Sequence, residues 1–205
     1  MMNPLIFAEQ SRTSVRGVAV RDSGDAELIS RAQRGEVNAI GHLYDRHRES
    51  IFRYLWIRLD DRQLAEDLTG DVFMRMLDGL PRYRLQGVPF RAWLYRIAHN
   101  LLVDYVRKMN HQATVPIDVI EEQGADDDLD RTVEQRRLNE RLRLALMSLE
   151  PTQCEVVTLR FLAGLSLQET ALTLGKTEAA IKALQHRGLS SLRRALEPLE
   201  EQVTS

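Results

Sequence analysis

The last third of the chain alternates apolar and polar residues at helical spacing. In LSLQETALTLGKTEAAIKALQHRGLSSLRRAL, leucine, isoleucine and alanine recur every three or four positions, and the pattern breaks once, at Leu174-Gly175. This spacing predicts two short amphipathic helices. Ser166 and Thr177 are suitable N-caps because their hydroxyls can accept free backbone N–H groups, and Gly175 can end the first helix. Two short helices joined by a tight glycine turn predict a helix-turn-helix.

The basic residues of the second of these helices lie on one side of it. At about 100° per residue, Lys182, His186 and Arg193 share an arc, and Ala183 and Arg187 lie beside it, whereas leucines, alanines and Ile181 occupy the opposite arc. Most amphipathic helices with a basic face are merely solvated. Inside a helix-turn-helix the same face favours contact with DNA.

A second helical stretch, PFRAWLYRIAHNLLVDYVRK, carries two separate rows. Its apolar row predicts a core-facing stripe, with Trp93 at the edge and packed between helices; the stripe is Phe90, Leu94, Ile97, Leu101 and Tyr105. The other row is Arg96, Asn100 and Arg107, with Asp104 next to it. Such forked donors suit phosphates and base edges.

The loop before this helix, RYRLQGVPF, combines aromatic, basic and amide side chains. Tyr83 and Phe90 offer rings, while Arg84 and Gln86 offer polar contacts. Single-stranded DNA is bound by stacking bases on rings and holding the backbone with cations. For Tyr83, stacking on a base and ordinary packing are equally supported by the sequence.

Composition supports an all-α fold, because helical periods recur and no convincing alternating strand is found. The single Cys154 cannot form an internal disulfide, so we expect a buried apolar residue and a reducing cytoplasm. No apolar run reaches transmembrane length and no signal peptide opens the chain, so we expect no membrane insertion. The five histidines lack metal-ligand spacing, and no glycine-rich phosphate loop is present. We therefore expect no metal, no cofactor and no enzymatic activity.

The formal charge of −2 conceals a strong segregation of charge. Residues 109–130 contain seven acids and no Lys or Arg, which leaves +5 for the remainder. Such a segment is a poor core former. The predicted organisation is a flexible tail at 1–22, a helical domain at 23–108, an acidic flexible linker at 109–134 and a helix-turn-helix domain at 135–200.

Charge is also segregated inside the first domain. Residues 60–78 carry six acids and two bases, a net of −4, whereas 82–108 carry six bases and one acid, a net of +5. One helix therefore suits a positive partner and the next a negative one.

These motifs together resemble a known family. The run Arg96-Ile97-Ala98-His99-Asn100, followed by Asp104 and Arg107, resembles the second conserved region of bacterial RNA polymerase sigma factors, most closely the extracytoplasmic-function (ECF) group. AEDLTGDVFMRML resembles the preceding helix of that region, and LEPTQCEVVTLRFLAGLSLQETALTLGKTEAAIKALQHRGLSSLRRAL resembles the fourth region. The resemblance covers about residues 25–108 and 135–197 in the expected order, which is more specific than any single motif.

The resemblance implies a set of partners. Core RNA polymerase would bind through the clamp of its largest catalytic subunit, and the residues implied are Asp67, Thr69, Asp71, Val72 and Met76. Promoter DNA is the second partner, an anti-sigma factor is left open as a third, and the bacterial cytoplasm is the implied location. Gly70 departs from the family, where a glutamine or a similar side chain is common, and Gly188 stands where alanine is commoner.

The resemblance also divides the DNA contacts between two promoter elements. The Tyr83–Phe90 loop would capture a flipped base of the minus-ten element, and residues facing the surrounding DNA would be Arg96, Asn100, Asp104 and Arg107. Asp104 could instead hold Arg107 in place. The minus-thirty-five element would be contacted by Thr177, Lys182, Ala183, His186, Arg187 and Arg193.

Two alternatives stay open at the level of sequence. An all-α transcription regulator acting on duplex DNA without polymerase would explain the helix-turn-helix, but not the acidic helix followed by the Tyr83 loop. The acidic linker could enter the channel that later holds RNA, or it could be a solvated spacer.

Overall fold

The computed structural model describes residues 25–59, 61–84, 88–112 and 133–197. Gln86, the predicted N-terminal tail and most of the predicted acidic linker lie outside the described residues. Throughout the described part the regular structure is helical and no strand occurs, so the all-α prediction is confirmed. None of the described helices is both long and apolar enough to cross a membrane.

The N-terminal half is built from four helices. They are α1 (25–33), α2 (Val37–Leu59), α3 (Arg62–Gly79) and α4 (Phe90–Gln112), with a 3₁₀ turn at Leu80–Arg82 after α3. Asp61 begins α3 by accepting the backbone N–H of Leu64 at 2.9 Å, which satisfies a donor left free by the first turn. The fully buried centre of this bundle includes Leu43, Ile51 and Leu94.

A buried carboxylate joins the first two helices. Asp25, which is 2% exposed, accepts from Arg46 at 2.6 Å and pairs with Nε2 of His47 at 2.9 Å. Burial alone raises the pKa of Asp25, but the contacts with His47 and Arg46 outweigh it and hold that pKa below its ordinary value. The ionised carboxylate therefore fixes α1 on α2.

The C-terminal half contains α5 (Val133–Met147), α6 (Pro151–Val157), α7 (Leu167–Leu174) and α8 (Glu178–Leu196). The predicted caps are confirmed. Ser166 forms a capping box with Glu169, Gly175 ends α7 at φ +61°, and Thr177 accepts the N–H of Ala180 at 3.2 Å. Cys154 is buried beside Leu146 and Val157, as expected for a small apolar residue.

A π-helical turn at Thr158–Leu162 continues α6. The turn closes with a bond from Ala163 N–H to the carbonyl of Thr158 at 2.9 Å, and Gly164 follows at φ +68°. This wider turn buries Leu159 and leaves Phe161 half exposed. It thereby redirects the chain toward α7, as single π turns inside helices can.

The two halves are in direct contact. Leu159 and Leu165 from the C-terminal half belong to the same buried cluster as the core of α2–α4, and α7 packs against α4. Ile57 at the end of α2 joins the small core of α5 and α6.

Two helical glycines should respond in opposite ways to alanine. Gly70 lies inside α3 with open space around the position of a Cβ, whereas a Cβ on Gly188 would lie 2.8 Å from Cγ2 of Val157. We expect Gly70→Ala to raise the free energy of unfolding by about 0.5–1 kcal/mol, because alanine loses less backbone entropy. Gly188→Ala should lose that gain to overpacking and lower stability. Urea unfolding followed by circular dichroism measures both; an equal stabilisation by the two variants would contradict the close packing of α8 on α6.

Candidate nucleic-acid and protein-docking surfaces

The outer face of α8 is basic and open to solvent. All the residues predicted to contact a minus-thirty-five element are exposed; they are Thr177, Lys182, Ala183, His186, Arg187 and Arg193. Arg193 pairs with Glu197 at 3.2 Å, with both side chains more than half exposed. Exposed pairs of this kind contribute little, so the guanidinium is available to a stronger anionic partner.

The inner face of α8 fixes the direction of that basic surface. Ile181 is fully buried, and Gly188 lets α8 approach α6 closely. Gln185, which interrupts the apolar arc in the sequence, accepts from Nε of Arg160 at 2.9 Å. A half-buried polar group with a partner is compatible with tight packing, and this bond ties α8 to the π turn.

A second exposed polar row runs along α4. Arg96, Asn100, Asp104 and Arg107 are all exposed, and their spacing places them within one arc of the helix. The opposite side of α4 is buried through Leu94, Ala98 and Leu102. Asp104 lies 4.0 Å from Arg107, and both side chains are more than half exposed, so the carboxylate can orient the guanidinium.

The predicted base-capturing loop contains an aromatic cluster. Tyr83 lies 4.9 Å from Trp93 and 5.5 Å from Phe90 between ring centroids, and its hydroxyl donates to the carbonyl of Val88 at 2.8 Å. Trp93 is packed as expected, against Gly79, where an added Cβ would lie 2.8 Å from the indole ring.

The cluster bears on one part of the prediction for this loop. Phe90 is only 3% exposed, because it begins the core stripe of α4. Its ring is therefore not presented to a base in this conformation, and its contact with DNA stays a prediction. Tyr83 is half-buried and Arg84 is exposed, so part of the Tyr83 side chain and the Arg84 side chain are open to solvent.

The predicted polymerase-docking helix also divides into two faces. Asp67 and Asp71 are exposed, as docking requires. Three other predicted contacts lie in the core instead: Thr69, Val72 and Met76, which are 4%, 0% and 1% exposed. Their spacing of three and four residues aligns them with the apolar stripe of α3. In this conformation the three side chains face the core, and their contact with polymerase stays a prediction.

Met74 is an exposed residue of α3 that the family resemblance does not single out. Met74 is 62% exposed and follows Asp67 by seven residues, on the same side of the helix as Asp71 and Gly70. The sequence signal for this exposure is the i+7 spacing from Asp67, because that spacing places Met74 outside the stripe of buried residues. The outer face of α3 thus combines two carboxylates with a flexible thioether and the small Gly70, and methionine is enriched at protein-binding surfaces.

Two parts of this chain match known protein families. Residues 43–112 match the family described as Sigma-70 region 2, and residues 145–194 match Sigma-70, region 4. The first match contains α3 and α4, and the second contains the helix-turn-helix.

Individual relatives agree with this assignment. The chain is 40% identical over 174 residues to the ECF RNA polymerase sigma factor BldN of Streptomyces coelicolor, a match that spans 83% of this chain and 65% of BldN. It is 33% identical to the ECF RNA polymerase sigma factor ShbA of Streptomyces griseus, over 81% of this chain and 92% of ShbA. With SigX of Bacillus subtilis the identity is 31%, over 78% and 85% of the two chains.

Solved structures share the fold. CnrH in complex with the cytosolic domain of CnrY superposes with a TM-score of 0.65 at 24% identity, covering 85% of this chain and 97% of that one. The sigma factor RpoE in complex with the anti-sigma factor NepR from Bartonella quintana gives 0.61 at 21% identity, covering 77% and 96%. The helical fold of this chain is therefore that of these solved structures. The chain belongs to the ECF family of RNA polymerase sigma factors.

The aromatic cluster predicts different costs for its members. Phe90→Ala should lower the free energy of unfolding by about 3–5 kcal/mol, because it empties a buried core position. Tyr83→Ala, at a half-buried position, should cost about 1–2 kcal/mol, and Tyr83→Phe, which removes only the bond to Val88, about 1 kcal/mol. Urea titration of the three variants gives the order. If Tyr83→Ala proved as costly as Phe90→Ala, Tyr83 would be a core residue and not a surface available to DNA.

Proposed function

We propose that this chain is a promoter-recognition subunit that binds core RNA polymerase and directs it to promoters with minus-ten and minus-thirty-five elements. The observation that carries the proposal is the coexistence of an exposed acidic face on α3 with exposed basic rows on α4 and α8. Opposite charges on adjacent helices suit one protein that joins a basic partner to DNA.

Each surface takes a separate task. The outer face of α3, through Asp67, Asp71 and Met74, docks on the clamp of the largest polymerase subunit. Side chains of α4 that face the minus-ten DNA are Arg96, Asn100, Asp104 and Arg107. The exposed face of α8 enters the major groove at the minus-thirty-five element, as second helices of helix-turn-helix motifs do.

Promoter opening is assigned to the loop around Tyr83 and Arg84, together with Gln86. Separating a base step costs on the order of 1.4 kcal/mol, and stacking a base on an aromatic side chain contributes roughly 1–3 kcal/mol. Tyr83 is the ring that the loop can present, since Phe90 supports it from the core. A captured base would locally offset the cost of melting.

Other parts of the proposal rest on family membership. The domains are proposed to end near residues 108 and 200, with the acidic segment 109–134 between them. Solved neighbours are bound to other proteins, in one case to an anti-sigma factor, and we include such a factor among the partners. The chain acts as a binding subunit without catalysis of its own, in the bacterial cytoplasm where polymerase works.

Charge reversal on α3 tests the docking surface. Asp67→Lys with Asp71→Lys should weaken binding of core polymerase by roughly tenfold or more, because close charge pairs across an interface contribute about 1.5 kcal/mol upward. The matched control is Glu49→Lys with Glu140→Lys, which changes the net charge equally at two exposed carboxylates, on α2 and α5. Polymerase pull-down compares the two double variants. Equal binding by both would exclude α3 as the docking helix.

We expect the basic residues of α8 to have two different roles, base recognition and phosphate binding. Arg187→Ala should relax preference at one or two positions of the minus-thirty-five element, because arginine discriminates guanine by roughly 1–3 kcal/mol. Arg193→Ala, at the end of the helix, should weaken binding evenly and flatten the salt dependence by about one unit of slope. Transcription of a randomised minus-thirty-five library with each variant separates these effects. An unchanged sequence preference with Arg187→Ala would make this face a phosphate clamp only.

A further inference from the structure

Helix α1 contacts the turn that carries Tyr83. The side-chain amide nitrogen of Gln33, the last residue of α1, donates to the carbonyl of Leu80 at 2.9 Å and to the carbonyl of Tyr83 at 2.8 Å. An amide nitrogen carries two hydrogens, so each carbonyl can accept one of them. The two carbonyls belong to the first residue of the 3₁₀ turn and to the residue that follows it. One side chain of α1 therefore fixes the spacing between the two ends of that turn.

The backbone of Tyr83 is held on both sides. Its N–H donates to the carbonyl of Leu80 at 3.1 Å, and its carbonyl accepts from Gln33. With φ −65° and ψ 135°, Tyr83 leaves the turn in an extended conformation. Because the N–H fixes one side of the residue and the carbonyl fixes the other, the direction of the Cα–Cβ bond of Tyr83 is set before any DNA is bound. The bond from its hydroxyl to Val88 then places the ring.

Gln33 is presented from a rigid element. Ile29 of α1 is fully buried, and Asp25 at the start of the helix pairs with His47 of α2. Gly35 follows Gln33 by two residues at φ +86°, a conformation that glycine adopts without strain, and the helix ends there. A side chain on such an element can hold a loop more precisely than a side chain of the loop itself.

The surroundings of Gln33 indicate a task other than holding the fold. Gln33 is exposed and Tyr83 is half-buried, and the turn is already fixed on the core by Leu80, which is 2% exposed. Water can satisfy the carbonyl of Tyr83 if Gln33 is lost, so the cost to global stability is small. Water does not fix the direction of that carbonyl, however. The match to Sigma-70 region 2 begins at residue 43, so Gln33 lies before the matched part of the chain.

We propose that Gln33 is a positioning residue for promoter opening, which holds Tyr83 in the orientation that stacks on an unpaired base. The inference rests on the function proposed above and adds a residue of α1 to it. Gln33 acts through the carbonyl of Tyr83 and not by contact with DNA. A binding group that is ordered in advance loses less conformational entropy on capture. Loss of the Gln33 amide should weaken base capture by roughly three- to tenfold, as expected for one hydrogen bond.

Two substitutions separate the donor of Gln33 from its size. Gln33→Met keeps the length and the neutral charge but has no donor, and Gln33→Glu keeps the shape but only accepts when ionised. Run-off transcription compares a duplex promoter with the same promoter opened beforehand as a bubble. The ratio of duplex to bubble transcription should fall by roughly three- to tenfold in both variants. Affinity for core polymerase, which is proposed to dock on α3, should equal that of wild type, and circular dichroism should show unchanged helix.

The neighbouring Arg34 supplies matched controls. Arg34 is exposed and lies 3.2 Å from a carboxylate oxygen of Glu36. Arg34→Gln lowers the net charge by one, as Gln33→Glu does, and should leave the duplex-to-bubble ratio unchanged. The double variant Gln33→Lys with Arg34→Gln has the wild-type net charge and regains a donor, because an ammonium carries three N–H groups. It should recover most of the wild-type ratio.

A second measurement does not depend on polymerase. The N–H of Tyr83 is protected by the carbonyl of Leu80, so its hydrogen exchange in the free full-length chain reports opening of the turn. Exchange at Tyr83 should be several-fold faster in Gln33→Met and Gln33→Glu than in wild type. Arg34→Gln should exchange at the wild-type rate.

The possible failures are distinguishable. An unchanged duplex-to-bubble ratio in both Gln33 variants would overturn the positioning role, and so would an equal loss on the two templates. A ratio lowered as much by Arg34→Gln would assign the effect to charge and not to the donor. If the wild-type chain supports transcription on neither template, the proposed function fails, while exchange at Tyr83 still reports whether Gln33 holds the turn.

Discussion

Helix α4, with 23 residues, contacts the core, the solvent and the C-terminal domain. The packing of the rest of the molecule depends on these three contacts. Leu94, Ala98 and Leu102 are buried against α2 and α3, whereas Arg96 and Asn100 face solvent one step around the helix. Arg91 and His99 contact the C-terminal domain. At about 100° per residue, Arg91 falls within the arc of the buried stripe, and His99 falls between that stripe and the exposed row.

The secondary structure follows from the sequence because its determinants are local. Caps such as Ser166 and Thr177 act within three residues, and Gly175 supplies a left-handed turn that other residues adopt less readily. Exposure on α8 was also predictable, since an arc of bases opposite an arc of leucines leaves one orientation for the helix.

A family motif marks residues without regard to the helical stripe. Thr69, Val72 and Met76 match the motif but share the buried side of α3, and Phe90 belongs at once to the loop motif and to the core. A helical projection of α3 places these three residues on the core side and Met74 on the outer face. Motif matching identifies the helix that carries a function, and only the period of that helix decides which side chains can reach a partner.

The pairing of Glu155 with His99 could not be predicted, since it joins residues 56 positions apart on helices of the two different domains. A buried carboxylate within α6 gives no local signal of its partner. The choice of charge has a physical consequence. An interface built only from residues like Leu159 and Leu165 would expose a large apolar surface on opening, which favours reclosure or aggregation. Ionised groups regain hydration when separated, so desolvation nearly cancels their attraction. A contact that combines a few buried leucines with such groups therefore gains its specificity from the geometry of the paired charges and not from a large apolar area.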